Sequence, residues 1–217
     1  IGVPVAWCIA ISSMFTLMLA MPVSAATTTV SQRIATGLDS FALLAIPFFI
    51  LSGQIMSKGG IANRLISFAK TLVGFLPGGL ALINIVSAML MGAIAGSAMA
   101  SASAMGTILG PEMEKEGYSK EFGAAVNITS STTGLVIPPS NTLIVYSLAS
   151  GGVSIAALFL AGYIPGILTG LLMMIVAMIW AKKNNYPVGK RSSLKEVFVK
   201  FIDAFPSLLL LVIVIGG

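Results

Sequence analysis

Residues 130–142, SSTTGLVIPPSNT, set two adjacent prolines and a cluster of hydroxyl side chains inside an extremely apolar sequence. Neither Pro138 nor Pro139 has a backbone N–H, and Pro139 drives its predecessor out of the helical region, so no continuous helix passes this point. The surrounding chain is 57% hydrophobic and 9% charged, with a mean hydropathy of +1.01, which leaves too little polar surface for a soluble domain. Broken backbone at bilayer depth is tolerated only where protein buries it or where it lines a polar cavity. The stretch is therefore the leading candidate for a solute or ion site.

The formal net charge of +5 does not point to nucleic acid, because the twelve Lys and Arg stand singly or in pairs outside the apolar segments, as topology determinants do. With no histidine and a single cysteine, Cys8, the sequence excludes a disulfide within the chain, Cys/His zinc sites and His-based catalysis. Cys8 reads as a small apolar packing residue. The sequence opens at Ile1 inside one apolar segment and stops inside another, 207–217, too short for a hydrocarbon core of about 30 Å, which reads as a fragment.

Segment lengths give a topology. Residues 2–22 read as a span, 23–37 as a Ser/Thr-rich connection holding Arg33, and 38–57 as a span kinked at Pro47 and capped by Asp39 or Ser40. Residues 61–76 interleave Arg64 and Lys70 with apolar positions, as an interfacial helix does. Residues 80–111 are too long for one span of about 20 residues and too short for two with a turn, so a re-entrant helical hairpin fits, its tip near 96–107. Residues 122–150 then form the span broken at the prolines, 154–181 an ordinary long span, and 194–205 a second interfacial helix leading into the truncated span.

Charge tests this arrangement. With a hairpin that returns to the side it left, Lys58, Arg64, Lys70, Lys115, Lys120, Lys182, Lys183, Lys190, Arg191, Lys195 and Lys200 share one side, and Arg33 alone lies on the other. That asymmetry marks the cytoplasmic face, and a single crossing at 80–111 would destroy it.

The interior chemistry is neutral oxygen. All seven carboxylates fall at segment ends or in loops, which disfavours proton relay in this part of the chain. Hydroxyls and an amide gather instead at the hairpin tip and around the break, with unwound carbonyls expected at Gly134, Val136 and Ile137. Hard oxygen ligands on irregular backbone suit an alkali cation, and half-helix N-termini suit an anionic solute group. Two plainer readings stand beside this one. The Gly/Ser/Ala run at 96–107 equally describes close helix packing, and Thr129 to Thr133 equally describe hydroxyls bonded back to their own helix.

Five ordered motifs carry a resemblance: LDSFALLAIPFFILSGQIMSKGGI (38–61), FLPGGLALINI (75–85), GAIAGSAMASASAMGTILGPEMEKEGY (92–118), SSTTGLVIPPSNTLIVY (130–146) and SIAALFLAGYIPGILTG (154–170). Together they resemble the N-terminal half of the large membrane subunit of tripartite ATP-independent periplasmic (TRAP) transporters. The resemblance implies an all-α membrane protein, an elevator-type secondary importer driven by sodium, with no enzymatic activity and no cofactor beyond the coupling ion. It implies as partners a small membrane subunit, a periplasmic substrate-binding protein and an organic acid of the sialic acid or C4-dicarboxylate class, in the bacterial inner membrane. It divides the chain into scaffold spans and an arm helix at 1–76, a transport-domain half at 77–153 with the hairpin at 80–117 and the broken helix at 122–150, a span at 154–181, an amphipathic connector at 182–206 and a truncated span from 207. The expected sodium ligands are Ser101, Ser103, Gly134, Val136, Pro139 and Asn141, the Gly, Val and Pro through their carbonyls. The expected substrate contacts are Ser97, Thr132, Thr133, Ser140 and Thr142. A channel-like or purely structural membrane subunit is the competing reading. A dead-end hairpin argues against the first, and hydroxyl-rich breaks at two places argue against the second.

Overall fold

In the computed structural model, which describes residues 2–39 and 41–216, the chain is helical, with one isolated antiparallel bridge between Pro77 and Val188. It divides into two compact units, residues 1–44 and 45–217.

The first unit holds α1 (Val5–Ala20), α2 (Val23–Leu38) and the start of α3 (Phe41–Lys58). Pro4 and Pro22 precede α1 and α2, where a missing N–H costs nothing. The expected connection at 23–37 is thus a helix. Its threonines satisfy themselves within it: the Thr27 and Thr28 hydroxyls donate to the Ser24 carbonyl at 2.9 and 2.8 Å, and Thr36 donates to the Gln32 carbonyl at 2.8 Å. Asp39 does not cap the following span but closes α2, its N–H directed to the Ala35 and Gly37 carbonyls; the alternative cap, Ser40, lies outside the described residues. Cys8 is exposed on α1 rather than packed.

The second unit is built around α5 (Gly79–Ala95), the most buried helix of the chain, with Leu82, Ile85, Met91 and Ile94 all fully enclosed. Around it lie α4 (Ile61–Val73), α6 (Ala98–Lys115), α7 (Lys120–Ser131), α8 (Asn141–Ala149), α9 (Ile155–Lys183) and α10 (Leu194–Gly216). The apolar face of α4 is covered by protein, with Leu65 and Ala69 buried in the core. Its other contacts run to α10, through Phe68 against Phe201 at 5.7 Å and Arg64 beside Asp203 at 4.0 Å. The two helices read as separate interfacial elements therefore form a pair. No break separates 194–205 from the apolar tail, because α10 continues through Pro206.

Among the described residues, α9 is the one helix long and apolar enough by itself to cross a membrane, with 29 residues and a mean hydropathy of 2.2 over its best window. The span expected at 2–22 is realised as the 16-residue α1.

Close backbone approach sets the packing of this unit. A Cβ on Gly92 of α5 would meet the Gly134 Cα at 2.5 Å, and one on Gly134 would meet the Gly92 Cα at 2.7 Å, so two glycines let the backbones touch. On α9, Gly162, Gly166 and Gly170 recur every fourth residue and receive the Val136 carbonyl, the Ile137 side chain and Met89 in turn. Replacing Gly92 by valine overfills the first contact and should cost about 1–3 kcal/mol. Gly110→Ala, where a Cβ meets nothing within 4 Å, should cost far less. Thermal unfolding of the two variants in detergent checks the difference.

Candidate functional site: a hairpin tip against a broken helix

The turn between α5 and α6 is only two residues long. Gly96 adopts φ +60°, and Ser97 in extended backbone caps α6 by accepting from the Ala100 N–H at 3.4 Å. Of the Gly- and Ser-rich stretch expected near the tip, 96–107, only Gly96 and Ser97 form the turn, and the rest is the start of α6, consistent with the high helix propensity of its alanines. α6 then folds back along α5. The Ser101 hydroxyl, fully buried, donates to the Ala88 carbonyl at 3.1 Å, and further down Asn84 shares a cavity with Gly106, Gly110 and Met113. The pair is a helical hairpin.

The break follows the pattern the prolines demand. After α7 the chain tightens into a single 3-10 turn, Thr132–Leu135, and Val136 to Ser140 leave the helix with a cis peptide between Pro138 and Pro139. Gly134 is therefore in a 3-10 turn rather than unwound. Ser140 closes the break, donating to the Leu135 carbonyl at 2.6 Å while capping α8 by accepting from the Leu143 N–H at 3.4 Å.

Tip and break meet. The Asn141 N–H donates to the Gly96 carbonyl at 3.4 Å, and a Cβ on Gly96 would lie 2.9 Å from the Pro139 carbonyl oxygen and 3.6 Å from the Asn141 side-chain carbon. At this junction α5 and the 3-10 turn end while α6 and α8 begin. Carbonyl-rich C-termini and N–H-rich N-termini thus converge, the first suited to a cation and the second to an anion. The Asn141 Oδ1 is buried there with no hydrogen-bond partner, an orphan acceptor of the kind a bound ion satisfies.

The expected ligands are distributed unevenly around this point. Pro139 and Asn141 face the tip. Gly134 lies against Gly92, and the Val136 carbonyl turns away toward Gly162 on α9. Ser101 sits inside the hairpin, its hydroxyl oxygen retaining lone pairs. Ser103 is exposed and lines a separate cavity of about 640 Å³ with Ser97, Thr107, Gln54 and Asn63. Of the expected substrate contacts, Ser97 belongs to that cavity, Thr133 and Ser140 are buried, and Thr132 and Thr142 are exposed. The hydroxyls of Thr129, Ser130, Ser131, Thr132 and Thr133 all donate back to carbonyls of their own helix, as the plainer reading held. Such a bond uses the proton and leaves the oxygen able to coordinate.

The sequence reading missed Gln54 of α3 and Asn63 of α4, which face the hairpin across the cavity that Ser103 lines, and Asn127, whose amide donates to the Ala102 carbonyl at 2.9 Å. For Gln54 and Asn127 the available signal was a lone amide in an apolar run, in FFILSGQIM and GAAVNIT, whereas Asn63 stands beside Arg64 and gave none. α3 reaches this cavity because Gly53 has no side chain: a Cβ there would stand 3.1 Å from the Ala95 Cα.

Residues 1–217 match the family described as tripartite ATP-independent periplasmic transporter, DctM component. The chain belongs to this family. It is 56% identical over its whole length to an uncharacterized protein, YgiK, of Salmonella typhimurium, covering 50% of that protein. It is 41% identical, again over its whole length, to the C4-dicarboxylate TRAP transporter large permease protein DctM of Vibrio cholerae, covering 48% of it. Over 86% of the chain it is 38% identical to the sialic acid TRAP transporter large permease protein SiaM of the same organism, covering 44% of it. The chain spans about half the length of these relatives. Members are permeases rather than enzymes, and the unsuspected helix α2 and continuous α10 belong to this TRAP permease half. Ser140→Ala removes both a helix cap and the bond that closes the break, so unfolding in detergent should show a loss of about 1–2 kcal/mol.

Proposed function

We propose that this chain is the N-terminal half of a sodium-coupled TRAP permease that imports an organic acid. The observation that carries the reading is the junction of Gly96, Pro139 and Asn141, where the Pro139 carbonyl and the Asn141 side chain, its amide oxygen an orphan, both lie against Gly96 between four helix ends. A dehydrated sodium ion is the natural occupant of a small, buried, all-oxygen site on broken backbone. Asn141 and Pro139 are its core ligands, with Ser101, Ser103 and Gly134 placed on the elements that flank them, while Val136, turned to α9, stands outside.

The anionic substrate belongs on the side of the N-terminal helix ends, where Ser97 opens into the cavity shared with Gln54 and Asn63, and where Thr132, Thr133, Ser140 and Thr142 surround the break. α5 and α6 act as a re-entrant hairpin: α6 loses its apolar character after Gly110, where Glu112, Glu114 and Lys115 follow. The hairpin and broken helix move as the transport-domain half of an elevator. Residues 1–76 serve as scaffold and arm, 154–181 as a membrane span, and 182–206 as a cytoplasmic connector into the segment from 207. A small membrane subunit, a periplasmic binding protein and the second half of the permease complete the machine in the inner membrane. The substrate class is that of the relatives, sialic acid or a C4-dicarboxylate. A channel-like or structural role is not favoured, because membership is in a family of transporter permeases.

The test is uptake of radiolabelled sialic acid or succinate by the full-length parent, reconstituted with its small subunit and binding protein under an imposed sodium gradient. Sodium-dependent uptake should fall at least about tenfold in Asn141→Ala, which corresponds to about 1.4 kcal/mol of lost ion affinity. Ser103→Ala should weaken it less. Uptake indifferent to sodium would remove the coupling, and sodium-dependent uptake unchanged in Asn141→Ala would remove the site.

A further inference from the structure

A second cavity, of about 680 Å³, opens far from the junction in sequence, between α4, the start of α5 and the loop from α9 to α10. Its lining brings Lys70, Lys190, Arg191 and Lys200 together with Glu116 and Glu196, an excess of two positive charges. None of the four cations has a carboxylate within ion-pair distance among the described residues, whose pairs are Arg64 with Asp203 and Lys120 with Glu114. Gly79 and Leu80 also line it, and they open α5 without a side-chain cap, the first helical bonds there being those of Ala81 and Leu82 to the Gly78 carbonyl. Unpaired cations of three different elements face one space.

The space is built rather than incidental. The Pro77–Val188 bridge ties the 187–191 loop to the loop before α5, and the Gly74 carbonyl sits where Cβ atoms of Gly79 and Gly189 would stand. The Arg191 guanidinium is stacked over Phe75 at 5.6 Å, which holds it in place while leaving its donors free. Lys200 is half-buried.

We propose that this cavity binds the phosphate headgroup of an anionic phospholipid. A free phosphate would satisfy the same cations, but the chain belongs to a family of membrane permeases, and the phosphates that stand beside a basic pocket of a membrane protein are those of anionic headgroups. The inference uses the membrane setting alone and is independent of which solute is carried and of sodium coupling.

Native mass spectrometry of the full-length parent in detergent tests it, with phosphatidylglycerol and phosphatidylcholine offered separately and inorganic phosphate as competitor. Retention of phosphatidylglycerol should fall about 25-fold in the double variant Lys190→Gln/Arg191→Gln, about fivefold for each basic residue removed. The double variant Lys182→Gln/Lys183→Gln, with the same charge loss outside the cavity, should retain it as the parent does, and phosphatidylcholine should bind neither preferentially. Equal loss in the two double variants would reduce the effect to net charge and overturn the site. Displacement of the lipid by millimolar phosphate would make this a soluble-anion site instead, and overturn the lipid assignment. Lys70→Gln, on a different element, should give the same fivefold loss if the loop variants act through the cavity rather than through the fold of the loop.

Discussion

Everything in the larger unit depends on how interrupted backbone is satisfied where no water is at hand. Two helices stop and two begin within a few residues of Gly96 and Pro139, which creates many unpaired donors and acceptors in one place. Serine does most of the repair. Ser97 and Ser140 cap the two new helices, and Ser140 also reaches back to Leu135. The remaining tie, the Asn141 N–H to the Gly96 carbonyl, joins the hairpin to the break directly. What this repair leaves over at the junction includes the Asn141 amide oxygen, buried without a partner.

Glycine does the complementary work of letting backbones come close enough for those bonds to form. Gly92 against Gly134 fixes the depth at which the hairpin arm meets the end of α7, and Gly53 lets α3 reach Ala95 beside the tip. The same economy recurs at the other end of the unit, where Gly74, Gly79 and Gly189 converge beneath a group of cations. One end of the unit gathers neutral oxygen and the other gathers positive charge.

Much of this was legible in the sequence because prolines and long apolar runs act locally. Pro138 and Pro139 dictate a break wherever they stand, and the length of 80–111 dictates a fold-back. The misread parts were decided by satisfaction that sequence periodicity does not display. The Ser/Thr run at 23–37 looks like a loop, yet Thr27, Thr28 and Thr36 bond to their own helix and it persists. The hydroxyls of Thr129 to Thr133 looked like ligands for the same reason, and they too spend their protons locally. Which carbonyl faces which neighbour was never readable: Pro139 points to the tip and Val136 to α9, a difference set by the turn geometry between them. Gln54 and Asn63 come to the cavity by tertiary approach, which a lone amide in an apolar run signals only weakly for Gln54 and a polar pair with Arg64 does not signal for Asn63.

The glycines of α9 have a mechanical consequence. Gly162, Gly166 and Gly170 form a row of notches about 6 Å apart along the helix axis, each now filled by one knob: a carbonyl, an isoleucine or a methionine. Because the three knobs differ in shape and come from both the break and α5, no shift along α9 puts each into a matching notch, so the glycine row fixes one register and locks the break and α5 to α9 together.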